Sequence, residues 1–329
     1  MNDYKSKMIK SIEILRFMFM LVICIWHSPF NVFTSGFIFV DFFFILSGYF
    51  LYKSLLKGYT PGVYIKKRII HFYDKYIIAY FITLFIWVVQ HRMDFFYNPI
   101  ENILRVIPEC FLMQDVGCFQ MGINNPLWYL SVLVLGGCCL FSFLYINNKN
   151  KYFLPLIIIF IYPYVLNHNN GNIEVFGFDG IFYLPMIRGL ADMSLGCLLN
   201  IGINRFDDEI SKYSKVIDVC SLLSFIFIIV ILFHDVINTK YIIIFFPIII
   251  IACFNNSSLI NKIHYSNISI YLGSLSLYMY LIHTSVNRCI LSLLQYININ
   301  KLFGLILYIF IIITISVIFK TCYEKLFRK

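Results

Sequence analysis

The sequence predicts an all-α polytopic membrane protein of about ten transmembrane helices, with both termini cytoplasmic and residues 1–329 forming a single integral membrane domain. Three observations carry that expectation. Of 329 residues, 60% are hydrophobic and 13% charged, and the mean hydropathy is +0.80, outside the range of soluble globular chains. Apolar runs of about 14 to 22 residues recur along the whole length, several near the roughly 20 residues that cross a bilayer. Basic residues are also divided unequally between alternate connections.

In chain order, spans are expected near 9–29, 36–56, 73–90, 126–146, 152–166, 181–201, 217–234, 241–254, 270–291 and 303–319. The apolar stretch 102–113, broken by Arg105 and Pro108, reads as a re-entrant or interfacial helix. Ten spans put both termini on one side. That side holds Lys5, Lys7 and Lys10, then Lys53, Lys57, Lys66, Lys67, Arg68 and Lys75. It also holds Lys149, Lys151, Arg205, Lys212, Lys215 and Lys262, and the tail's Lys320, Lys325, Arg328 and Lys329: nineteen of the 26 lysines and arginines. The positive-inside rule makes that side cytoplasmic. The same asymmetry accounts for the net charge of +9 without a nucleic-acid partner.

The N-terminal lysines and first apolar run resemble a signal peptide, but no small-residue cleavage site follows, so an uncleaved span is expected. The ten cysteines show no metal-ligand spacing and mostly occupy apolar runs; Cys110 and Cys118 stand as an open pairing.

Within span one, IEILRFMFMLVICIWHS holds Arg16 and His27, eleven residues apart. Eleven helical residues make three turns plus roughly 20° and rise about 16 Å, so both side chains share a face. Ionisable groups inside a membrane are costly unless they face a cavity or a partner, which points to a polar channel. Asp41, just inside span two, should lie at the depth of His27 and orient it as a general base, or simply tie two helices together. Ser47 and Gly48 read as small residues at a close helix crossing. The loop KGYTPGVYIKKRIIHFYDKY offers Lys66, Lys67, Arg68 and His71 to a phosphorylated cytosolic ligand, or merely carries the lysines of an inner loop. Trp128 and Tyr129 fit an interfacial aromatic belt. Arg188 and Asp192, four apart, pair with each other or meet a polar substrate. His283 stands alone on an apolar helix.

The ordered series ILR…WHS, VDFFFILSGYFL, KKR, PLWYLS, RGLADMSLG and LGSLSLYMYLIH resembles the acyltransferase family 3 integral membrane proteins, over nearly the whole chain. The resemblance implies transfer of an acyl group, with acetyl expected, from cytosolic acyl-CoA to a hydroxyl of a cell-surface or lipid-linked glycan. The family's histidine and arginine of span one fall on His27 and Arg16, and its acidic position in span two on Asp41. On this reading, donor contacts are expected at Arg16, Lys67, Arg68 and His71, and acceptor contacts at Trp128, Arg188, Asp192 and His283. The family's arginines three apart followed by proline are matched by Arg68, but His71 takes the second position and Asp74 the proline's. Acyl-CoA is a co-substrate, with no bound cofactor and no metal expected. The expected partners are the bilayer, the acceptor and polysaccharide-assembly proteins, at a bacterial cytoplasmic membrane. The competing classes are a transporter or flippase for a small anion or lipid-linked glycan, and a non-catalytic scaffold; the lack of an internal repeat counts against transport.

Overall fold

The computed structural model describes residues 2–91, 99–113, 122–234, 239–255, 257–262 and 268–327. These form helices α1 (Asn2–Trp26), α2 (Phe39–Leu56), α3 (Pro61–Gln90), α4 (Pro99–Cys110), α5 (Trp128–Ile146), α6 (Leu154–His168) and α7 (Leu184–Arg205). The short α8 (Asp207–Lys212) follows, then α9 (Ser214–Phe233), α10 (Ile242–Phe254), the single turn α11 (Leu259–Lys262), α12 (Ile268–Leu294) and α13 (Lys301–Phe327). A two-residue hairpin, Phe178–Asp179 against Phe182–Tyr183, is the one sheet among the described residues.

Among the described residues, six segments are long and apolar enough to cross a membrane: Gly36–Leu56, Pro61–Gln90, Asn125–Ile146, Leu184–Arg205, Ser214–Phe233 and Lys301–Phe327. The helix α12 has the length, but serines, tyrosines, His283, Asn287 and Arg288 interrupt its apolar character.

The expected loop before residue 73 is helix. Thr60 caps α3, its Oγ1 accepting from the Val63 amide, and Pro61 opens the first turn with a pre-set φ. After Gly62 no glycine or proline occurs before Gln90, so α3 runs 30 residues, about 45 Å at 1.5 Å per residue. The basic stretch is therefore its first turns. Helix geometry puts Tyr64, Arg68 and His71 on one stripe and sets Lys67 at its edge, about 100° from Arg68.

Two helix pairs set the frame. Both Gly48 and Gly196 are required by sterics: a Cβ on the first would overlap the Met193 carbonyl, and one on the second the Ile45 carbonyl. The close crossing expected at Gly48 is thus present, with α2 and α7 parallel and backbone to backbone. The other pair is α1 and α12, also parallel. Gly273 accommodates Glu13 near one end, and the ring of His283 meets that of His27 at the other.

The amphipathic α4 presents Ile100, Ile103, Leu104, Ile107 and Phe111 outward, while Asn102 and Glu109 are buried. An i, i+3, i+4, i+7, i+11 stripe of this kind matches a helix lying along a membrane interface. Its last carbonyls lack intrahelical partners. Three tyrosines on one face of α3 add donors at this end: Tyr73 donates to Cys110 O at 3.0 Å, Tyr80 to Val106 O at 2.9 Å, and Tyr76 to Glu109 O, which also accepts from the Leu112 amide. The Glu109 carboxylate accepts from the amides of Ile123 and Asn124 at 2.7 and 2.9 Å, anchoring the entry to α5. Cys118, and with it the Cys110–Cys118 pairing, lies outside the described residues.

Candidate functional site

A cavity of about 330 Å³ lies between α1, α2, α3, α5 and α12. Its polar lining is Arg16, Ser47, Arg68, His71, Tyr129, Ser276 and Tyr280, set among Met20, Ile23, Val40, Phe43 and Leu130. The volume falls within the roughly 300–1,000 Å³ range of small-molecule sites, and a few convergent polar groups in an apolar wall are typical of them.

Each polar group arrives by a separate local cause. The stripe on α3 delivers Arg68 and His71. The Arg68 guanidinium donates to Ser47 Oγ, one residue before the Gly48 crossing, so the α2–α7 contact also positions this cation. On α1, Arg16 Nη1 donates to both oxygens of Glu13 at 2.8 Å, one turn earlier. Lys67 is not part of the cavity: it sits over the Tyr59 ring at 4.0 Å. Its hydrogen bond to the Tyr59 hydroxyl holds that phenol below its usual pKa. The Asp74 carboxylate, at the expected proline position, accepts from Tyr323 of α13 and pairs with Lys75 at 3.1 Å, so it ties two helices together.

His27 stands one turn beyond Ile23 at the other end of α1 and is exposed. Its backbone is held firmly. The His27 amide donates to Ile23 O at 3.1 Å, Asn287 Nδ2 donates to His27 O at 3.0 Å, and Tyr308 donates to Cys24 O at 2.9 Å. Trp26 packs edge-on against its ring at 4.6 Å, and the His283 ring lies 5.3 Å away.

The expected His27–Asp41 pair does not form: among the described residues no hydrogen bond or ion pair joins them. Asp41 is bound instead by Arg188, whose Nε and Nη2 donate to its two oxygens at 2.8 and 2.6 Å, with both side chains about 1% exposed. The crossing explains the choice of partner. Asp41 precedes Gly48 by two helical turns and Arg188 precedes Gly196 by about as many, so a parallel crossing brings them level. The expected Arg188–Asp192 pair is displaced for the same reason, because the fork satisfies a facing carboxylate with two parallel bonds. Asp192 Oδ1 accepts from Tyr162 of α6 at 2.5 Å, and both carboxyl and phenol are buried. Neither Arg188 nor Asp192 reaches the cavity. Trp128 also lies outside it, its ring against Phe44 and Phe176 at 6.1 and 6.3 Å.

Five participants were not read as site residues in the sequence: Ser47 is masked by its packing neighbour Gly48, Tyr129 by the aromatic belt, Ser276 and Tyr280 by the apolar run that holds them, and Glu13 by its place outside the matched motifs.

A family model described as an acyltransferase domain, Acyl_transf_3, matches residues 9–321. The chain belongs to this acyltransferase family. That match takes in the cavity, the Asp41–Arg188 pair and both histidines, and identifies a membrane acyltransferase in general terms. No curated protein and no solved structure matches the chain.

Proposed function

We propose that this family member moves an acyl group, with acetyl expected, from cytosolic acyl-CoA to a hydroxyl of a cell-surface or lipid-linked glycan. It would act in a bacterial cytoplasmic membrane with both termini inside. The observation that carries this reading is an alignment: Arg16, Arg68 and His71 line the cavity, and His27 and His283, outside its lining, follow one turn beyond the lining residues Ile23 and Tyr280. The two arginines and His71 suit phosphate and pantetheine oxygens, Arg being the residue best shaped for phosphate. The apolar wall suits the acyl arm, and a cavity of about 330 Å³ leaves the adenine nucleotide at the mouth. His27 accepts the proton of the acceptor hydroxyl as that oxygen attacks the thioester carbonyl, then returns it to the departing CoA thiolate. Trp128, near this end, is the remaining candidate for acceptor contact; Arg188 and Asp192 support the frame.

Purified protein in detergent, given labelled acetyl-CoA and extracted glycan, should transfer label. General-base help is worth about 10²–10⁴-fold, so His27→Ala should lower turnover by that order while the protein stays folded. Full transfer by His27→Ala removes His27 from the chemistry. No turnover by folded wild type with any acyl-CoA or acceptor turns the reading towards transport.

A further inference from the structure

His283 is fully buried behind exposed His27. Its Nδ1 lies 2.6 Å from the carbonyl oxygen of Tyr280. A carbonyl only accepts, so Nδ1 carries the proton. The ring's other nitrogen, Nε2, has no hydrogen-bond partner among the described residues. In a neutral imidazole with a protonated Nδ1, Nε2 is a bare lone pair. A buried acceptor without a donor forfeits its hydration, so such an atom is uncommon and calls for a physical reason.

The neighbouring groups narrow what it serves. The Tyr280 hydroxyl is already given to Pro126 O. Asn287 Nδ2 is given to the His27 carbonyl. The polar ring facing His283 is His27, 5.3 Å between centroids and tilted by 41°. Asn287 holds the His27 carbonyl, Tyr308 the Cys24 carbonyl three residues earlier, and Trp26 covers one side of the His27 ring, yet no hydrogen bond to either ring nitrogen is present among the described residues.

We propose that His283 is the positioning residue of His27: its Nε2 accepts the N–H of one His27 ring nitrogen, directly after a ring rotation or through one water, and leaves the other nitrogen bare towards the acceptor hydroxyl. This rests on the general-base reading above. The chain then runs from the Tyr280 carbonyl through His283 to His27. His27 takes the hydroxyl proton while the new C–O bond forms, and is an imidazolium until the C–S bond breaks and the thiolate receives that proton. Throughout, His283 keeps its own proton on Nδ1 and holds the second His27 N–H. It does what a carboxylate would do beside a catalytic imidazole, without bringing a charge into the membrane.

The test uses full-length protein in detergent with His283→Phe, which keeps a ring but no acceptor, and His283→Gln, whose amide oxygen reaches towards the Nε2 position. The expected result is a fall in kcat of about tenfold or more for Phe, with KM for acyl-CoA within about twofold, and clear recovery in Gln. Wild-type kcat in the Phe variant overturns the proposal. So does equal loss in both variants, which makes the ring a packing element. Nitrogen-15 histidine spectra of wild type test it independently of the variants: one His27 tautomer supports it, and a mixture of both overturns it. His27→Ala is run alongside. If it keeps full transfer, the general-base reading itself fails; if it loses transfer while His283→Phe does not, only the present inference fails.

Discussion

Arg188 on α7 grips Asp41 on α2 through two hydrogen bonds, at 2.8 and 2.6 Å, in a site closed to solvent. A buried pair of this kind is hazardous to break, because the surviving partner is left charged and dry. Asp41→Ala or Arg188→Ala is expected to cost about 3–5 kcal/mol. The double variant Asp41→Leu with Arg188→Met should be less destabilised than either single one. Thermal unfolding in detergent measures all three.

The crossing that levels these residues predicts a second effect. Gly48→Ala and Gly196→Ala each drive a Cβ into a facing backbone carbonyl, which no side-chain rotation relieves. Overpacking of this kind costs about 1–3 kcal/mol, and here the upper end or more is expected. Because Ser47 adjoins Gly48 and holds Arg68, affinity for acyl-CoA should weaken along with stability. Unchanged donor binding in a destabilised Gly48→Ala protein would separate the two.

On the proposed reading, the donor end separates two neighbouring cations. Arg68 lines the cavity, whereas Lys67 is turned onto Tyr59. Losing a charged hydrogen bond costs about 1.5–3 kcal/mol, so Arg68→Ala should raise KM for acyl-CoA by about 10- to 100-fold. Lys67→Ala should leave it near wild type. Steady-state kinetics in parallel decide this, and equal effects would place the donor across the outer face of α3 instead.

Glu174, in the segment between α6 and the small hairpin, predicts a pH effect. Burial raises its carboxyl above the usual range, partly offset by Arg188. A raised folded-state pKa means that the native state binds the proton more tightly than the unfolded chain. Its stabilising effect is complete below the unfolded value near 4.3, and is lost as pH climbs through the folded one. Glu174→Gln should therefore unfold at a higher temperature than wild type at pH 7, with the gap closing as pH falls to about 4. A gap that stays constant with pH would deny the shift.

Much of the fold was legible because hydropathy is a direct readout of where lipid can touch the chain. The apolar runs 126–146 and 217–234 correspond closely to α5 and α9. The N-terminal extension of α3 was not legible from hydropathy, because Lys66, Lys67 and Arg68 suit a helix as well as a loop; the Thr60–Pro61 start is the signal that identifies it. At the site, Arg16 was legible from its place inside an apolar helix, and it lines the cavity; His27, read from the same spacing, stands outside the lining and exposed. The partners of Asp41 and Arg188 were not legible. Pairing across helices depends on crossing angle and register, which Gly48 and Gly196 set but do not announce.

The 25-residue α1 carries a cavity arginine and, in the turn that follows its last residue, an exposed histidine. On the proposed reading, this makes it a ruler. Arg16 marks where the donor's phosphates stop, and His27 marks, about 16 Å further on, where the reactive carbonyl must arrive. Donors would be sorted by the reach between anchor and thioester before their acyl group is tested. A four-residue helical insertion between the marks, lengthening the gap by about 6 Å while nearly keeping the face, would recalibrate the enzyme towards a longer arm.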